Sequence, residues 1–211
     1  MNNTFQDNET VRIEAFSDGV FAIDITLLTF ELKAPKHPET GDYSSLLLLD
    51  SLARQWPSYV AFFLSFTTIL IIWVNHHRMF NVIRHSDSRF MFYNGLLLLL
   101  TSTIPFTTSL LANYINTDAM ALAGFLYMFL FAGICGVLLL MWLHATKDYH
   151  LLKRPAADVR IQLVRMGLLI SLITYSVAAL LAFLSPYLSL AVSLGMVVYL
   201  SRLKYHRERV V

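Results

Sequence analysis

The sequence predicts an all-α, polytopic membrane protein with six transmembrane helices per chain, and three observations lead there. Hydrophobic residues make up 56% of the 211 positions and charged residues only 14%, whereas soluble domains carry about a quarter. Four stretches, Gln55 to His77, Phe90 to Thr117, Ala119 to Thr146 and Met166 to Ser201, contain no lysine, arginine or carboxylate, and one bilayer crossing needs about 20 residues. The segment from Arg12 to Lys33 is also long enough to cross, yet it carries acids and hydroxyls throughout. Ionisable groups facing hydrocarbon cost roughly 2.5–3.5 kcal/mol each, so this helix must face protein or water.

The expected spans are 11–33, 55–79, 89–114, 120–145, 160–184 and 186–204, forming one domain over 1–211. The last uncharged run is too long for one crossing, but Ser185-Pro186 lies near its centre, and proline readily opens a new helix. Basic residues fix the count. With the N-terminus inside, every lysine and arginine except Lys33, Lys36 and Arg54 falls on the cytoplasmic side, as the positive-inside rule requires. Five helices would place the basic C-terminus outside. Both termini are therefore expected in the cytoplasm and the protein in the cell membrane. The external connection 34–54, with Pro35, Pro38 and Gly41, reads as a turn followed by a short amphipathic piece, Leu46 to Leu52, on the outer surface.

Met1 to Thr10 lacks a basic leader and a small-residue cleavage site, so no cleaved signal peptide is expected. The single cysteine, Cys135, lies within an apolar run and reads as a small packing residue. A net charge of +2 is too small to suggest a nucleic-acid partner.

The first helix divides into stripes. At 100° per residue, Phe16, Ile23, Leu27 and Phe30 fall within about 60° of one another and form an apolar ridge. Ser17, Asp24 and Glu31, spaced by seven, stack as a polar stripe on one flank, while Ala15, Gly19, Ala22 and Thr26 make a small-residue stripe on the other. Small residues allow a neighbouring helix to approach closely. Only this helix suits a watery path, so several copies of the chain must meet to enclose one. With the ridge on a symmetry axis, Ile23, Leu27 and Phe30 would form rings that gate by dewetting, and Asp24 and Glu31 would favour cations. Alternatively the ridge is ordinary core and the polar stripe bonds to other helices.

A second constellation closes the second helix, Trp73-Val-Asn75-His76-His77-Arg78-Met-Phe80. The orientation above brings it to the membrane face that also holds Arg12, Ser17 and Asp18. A buried Asp18 needs donors, and a histidine of the adjacent helix with Arg12 as charge partner would supply them. Asp87, Ser88 and Arg89 could join this network. No metal, haem or other cofactor is expected. His76 and His77 are adjacent and diverge by about 100° on a regular helix, His144 stands apart, and no carboxylate or cysteine lies at ligand spacing. Histidine still leaves pH sensing open. Enzyme signatures such as Gly-x-Ser-x-Gly, His-Glu-x-x-His or a phosphate-cradling glycine loop are absent, and so is a Gly-Tyr-Gly filter loop. Selectivity must come from helix side chains.

Arg12-x-x-x-Phe16-Ser17-Asp18-Gly19, running into Phe21-Ala22-Ile23 and Thr26-Leu27-Leu28, together with Trp73-x-x-His76-His77-x-x-Phe80, resembles the bacterial members of the transmembrane protein 175 family, the lysosomal potassium channel family of animals. The resemblance implies a homotetrameric, potassium-permeable channel with the first helix of each chain lining a central pore and K⁺ as the permeant ion. It places the hydrophobic constriction on Ile23, Leu27 and Phe30 with Thr26 near the ion path. Arg12, Phe16, Ser17 and Asp18 become the network tying the pore helix to Trp73 and His77. Family members usually carry an aliphatic residue where Phe30 stands and an apolar or small one at Asp24. Four copies of Asp24 would either attract cations near the axis or pair between subunits away from the ions. Two other readings stand beside the channel: a proton-coupled membrane transporter using Asp18, Asp24 and His77 as a relay, and a helix bundle whose polar groups only specify assembly.

Overall fold

The computed structural model describes residues 3–36, 44–149, 151–153 and 158–202. Pro38 and Gly41 of the expected external turn, and the basic residues Arg154, Lys204, Arg207 and Arg209, lie outside the described residues. Eight α-helices follow one another among those described: α1 (Asn3–Leu27), α2 (Ser45–Arg54), α3 (Trp56–Val82), α4 (Ser88–Ser102), α5 (Ile104–Tyr114), α6 (Met120–Thr146), α7 (Asp158–Leu181) and α8 (Pro186–Arg202). The segments Trp56–Val82, Ser88–Tyr114, Met120–Thr146 and Ile161–Leu181 are long and apolar enough to cross a membrane.

Local chemistry sets the boundaries. Pro57 sits in the first turn of α3 and Pro105 in that of α5, and α8 opens on Pro186, all positions where a missing N–H costs nothing. Asp87 caps α4 by accepting from the Phe90 N–H at 2.8 Å, and Ser44 caps α2 through the Leu47 N–H at 3.3 Å. The amphipathic piece expected near Leu46 to Leu52 is α2, which buries no residue.

Two spans differ from their expected outlines. The stretch expected as one helix over 89–114 is broken at Thr103, because Pro105 cannot donate to the carbonyl four residues earlier. The Thr103 N–H turns back to the carbonyls of Leu100 and Thr101, and the Thr103 and Thr101 hydroxyls donate to those of Leu100 (2.7 Å) and Leu98 (3.0 Å). The Thr103 N–H thus takes the Thr101 carbonyl that Pro105 leaves without its helical donor, a local adjustment of the kind that satisfies backbone groups freed by proline in an apolar medium. The first helix, expected over 11–33, begins earlier, at Asn3, and tightens into a 3₁₀ turn over Leu28–Glu31. There the Thr26 and Thr29 hydroxyls bond back to the carbonyls of Ile23 (2.8 Å) and Thr26 (2.7 Å).

The core centres on α6, where Tyr127, Met128, Phe131, Ile134 and Met141 are buried. It packs on α4, α5, α7 and α8, while α1 lies against α3 and α4. One end of the bundle is tied together outside the helices. Ile83 and Leu152 form an antiparallel bridge, with Arg84 N–H donating to the Leu151 carbonyl (2.7 Å) and Lys153 N–H to that of Val82 (2.9 Å). The Ser189 hydroxyl closes the α7–α8 hairpin on the Ala178 carbonyl at 2.7 Å.

A buried hydroxyl chain joins three helices. Ser65 on α3 lies 2.7 Å from the Thr108 hydroxyl and 2.9 Å from the Tyr127 hydroxyl, and Thr108 donates to the Ile104 carbonyl at 2.8 Å. Each hydroxyl has one proton, so the chain runs Tyr127 to Ser65 to Thr108 to the backbone. Replacing Ser65 with Ala leaves the Tyr127 proton without an acceptor and should destabilise the fold by about 1 kcal/mol. Tyr127→Phe, which removes the terminal donor, should cost less. Thermal unfolding in detergent checks the order, and equal midpoints for wild type and Ser65→Ala would show that the chain contributes nothing.

Candidate functional site

The residues of α1 sort cleanly into two faces. Ser17, Phe21 and Asp24, spaced by three and four, are buried on the side that meets α3 and α4, and Leu28, which opens the 3₁₀ turn, continues that face against α3 and α5. Phe16, Ile23, Leu27 and Phe30 are exposed on the chain, Ile23 by 59% and Phe30 by 72%. Ala15, Gly19, Ala22 and Thr26 are exposed beside them, and a Cβ placed on Gly19 would meet no atom within 4 Å. The apolar ridge and the small-residue flank thus form one continuous outward surface, and the polar flank is turned into the subunit.

Three sets of bonds hold that rotation. At the first, the Ser17 hydroxyl donates to the Ile13 carbonyl (2.9 Å) and accepts from the Asn94 side-chain amide of α4 (2.9 Å). The Asn94 carbonyl oxygen meets His76 Nε2 of α3 at 2.9 Å. With the amide nitrogen committed to Ser17, that oxygen must accept, so His76 carries its proton on Nε2. The ring is wedged between Phe21 (centroids 5.3 Å) and Phe80 (4.5 Å) and is fully buried. At the second, Trp73 Nε1–H donates to Asp18 at 2.9 Å, and the Trp73 ring stacks on His77 (5.9 Å, 24°). His77 Nδ1 lies 2.9 Å from Glu14. At the third, Asp24 accepts from the Ser102 hydroxyl at 3.0 Å, at the break between α4 and α5.

The residues singled out in the sequence therefore part company. Asp18, Trp73 and His77 come together, and Ser17 joins a neighbouring chain of bonds through Asn94 and His76. Arg12 is exposed and pairs with no acid among the described residues, and Phe16 lies on the outward surface. Asp18 takes its donor from the Trp73 indole, while His77 faces Glu14. Asp24 is 1% exposed and bonded to α4, on the side of α1 away from Ile23. Thr26 lies on the outward face with its hydroxyl committed to the backbone, and Glu31 is half-buried. Asp87 pairs instead with His144 on α6, at 2.8 and 3.0 Å.

Asn94, Glu14, His76 and Ser102 were missed as partners. Asn94 had a signal: it is the one side-chain amide in the apolar α4, and such a group in a membrane helix turns to another helix. Ser102 had none, because its role depends on where the proline break places it.

Residues 12–105 match the family described as endosomal/lysosomal potassium channel TMEM175. A protein of Chamaesiphon minutus named a potassium channel is 40% identical over 194 residues, covering 92% of this chain and 94% of the relative. Another potassium channel, of Streptomyces collinus, is 37% identical over 185 residues and 87% of each chain. The crystal structure of a lysosomal potassium-selective channel TMEM175 homolog from Chamaesiphon minutus superposes with a TM-score of 0.81 at 40% identity, covering 92% of this chain and 97% of that one. With identity of this order over nearly the whole length of both chains, together with a matching fold, the chain belongs to the TMEM175 family.

Proposed function

We propose that the chain is a potassium channel: four copies assemble around a central pore lined by α1, and K⁺ passes without a Gly-Tyr-Gly filter loop. The observation that carries this reading is the division of α1 into a buried polar face and an exposed face holding Phe16, Ile23, Leu27 and Phe30. That exposed face is interleaved with Ala15, Gly19, Ala22 and Thr26, a composition suited to close approach of other helices rather than to lipid chains. The relatives named potassium channels support the choice of ion. In the assembled pore, rings of Ile23, Leu27 and Phe30 gate by dewetting. Thr26 and Glu31 flank the path, and Asp24, bonded to Ser102 within the subunit, acts on the ion through its field rather than by contact. In this reading α1 and α8 complete six crossings, and both termini lie in the cytoplasm of a cell whose plasma membrane holds the channel.

Purified protein in planar bilayers should pass unitary K⁺ currents larger than Na⁺ currents. Slow, saturating flux without unitary steps would favour the proton-coupled transporter built on Asp18, Asp24 and His77, and no flux at all would leave an assembly of helices. Replacing Ile23 with Asn should raise the conductance severalfold by wetting one of the apolar rings. An unchanged current in a normally assembled tetramer would place the ridge away from the pore.

Asn94→Leu should act differently. It removes the acceptor of His76 and the donor to Ser17, so it should lower the yield of folded oligomer and the thermal midpoint, with a cost of about 1–3 kcal/mol. Size-exclusion chromatography and thermal unfolding of the purified variant check this, and a wild-type profile would mean that the bonds do not hold α1.

A further inference from the structure

The geometry points to a transition-metal site, of the chemical class that binds Zn²⁺, formed by Glu14 and Asp18 of α1 with His77 of α3. One ligand atom from each residue lies within 4.8 Å of the other two. Four-coordinate zinc with bonds of about 2.0–2.2 Å to nitrogen and oxygen separates its ligands by roughly 3.3–3.6 Å, so small side-chain rotations bring the three onto one ion. Two carboxylates and an imidazole suit Zn²⁺, Co²⁺, Ni²⁺ and Cu²⁺ better than Mg²⁺ or Ca²⁺, which take oxygen ligands.

The surroundings are those of a supported ligand set. Trp73 donates its indole N–H to one Asp18 oxygen at 2.9 Å, leaving the other oxygen for a metal, and its ring lies flat against His77. Outer partners of this kind fix the orientation of metal ligands. Glu14 and Asp18 stand four residues apart and project from one side of α1. His77 is half-exposed on the chain, which leaves room for a water molecule to complete the shell of a bound ion. From the sequence alone no ligand set was visible, because the histidine and the two carboxylates are on different helices. The packing of α1 on α3 supplies it.

Without metal, the Glu14–His77 contact is a single partly exposed polar contact, worth little. A bound ion converts it into a bridge joining α1 to α3 at the end where the Trp73–Asp18 bond already lies. The proposal stands independently of what the protein conducts.

Isothermal titration of the purified full-length protein with zinc chloride tests it. The expected result is one saturable zinc ion per chain, abolished by His77→Ala and by Glu14→Gln and unaltered by His85→Ala. Trp73→Phe, which keeps the ring and loses the N–H, should weaken binding by about tenfold. X-ray absorption of the zinc-loaded protein should report a mixed nitrogen and oxygen shell without sulfur. Absence of saturable binding below millimolar zinc, or equal affinity in wild type, His77→Ala and Glu14→Gln, would overturn the proposal.

Discussion

The need to satisfy polar groups inside an apolar medium governs this molecule. A hydroxyl, amide or carboxylate carried into hydrocarbon without a partner costs several kcal/mol, and a helix in the bilayer has no water to which it can turn those groups. α1 carries Ser17, Asp18 and Asp24 on one side, and each finds its partner on α3 or on α4: Asn94 for Ser17, Trp73 for Asp18, Ser102 for Asp24. With these three bonds made, the rotation of α1 about its axis is fixed. The apolar ridge has nowhere to go but outward. What the helix presents outside its own chain is therefore decided by what it hides within it.

The same constraint explains the supporting helices. Pro105 breaks the crossing at Thr103, whose N–H turns back to the Leu100 and Thr101 carbonyls, with threonine hydroxyls adding bonds to the last turn of α4. At this break Ser102 reaches Asp24, so a local backbone defect becomes an anchor for a helix nearly eighty positions earlier in the chain. His76 plays a comparable part on α3. Its Nε2 proton goes to Asn94 and its ring fills the space between Phe21 and Phe80, so one side chain links α1, α3 and α4 by a hydrogen bond and by packing together. Removing any one partner leaves another polar group buried, and the network is consequently less tolerant than its individual bond strengths suggest.

Neighbouring positions on α3 divide their roles by helical geometry. His76 and His77 are separated by about 100° around the axis. The first ring points into the core and is completely buried. The second points along the edge of the α1–α3 contact, half-exposed, against Glu14 and the Trp73 ring. A pair that looks redundant in the sequence serves a sealed structural network on one side and an accessible cluster of ligand-type groups on the other.

The sequence determined by itself that the chain is helical and membrane-embedded, that Pro186 opens a helix, that an amphipathic segment precedes α3, and that α1 carries separate apolar, polar and small-residue stripes. These follow from composition and from periods of 3.6 and seven, which need only neighbours along the chain. Which acid meets which donor was decided by tertiary structure. Arg12 and His77 were plausible partners for Asp18 by charge and membrane depth, yet the Trp73 indole occupies that place, Glu14 takes His77, and Asn94 joins Ser17 to His76. The fate of Asp24 likewise rested on the break at Thr103, which turns Ser102 toward it. Periodicity states the direction in which a side chain leaves its own helix; the identity of the atom it meets depends on the offset and rotation of a second helix, and those are set by the packing and the buried hydrogen bonds together.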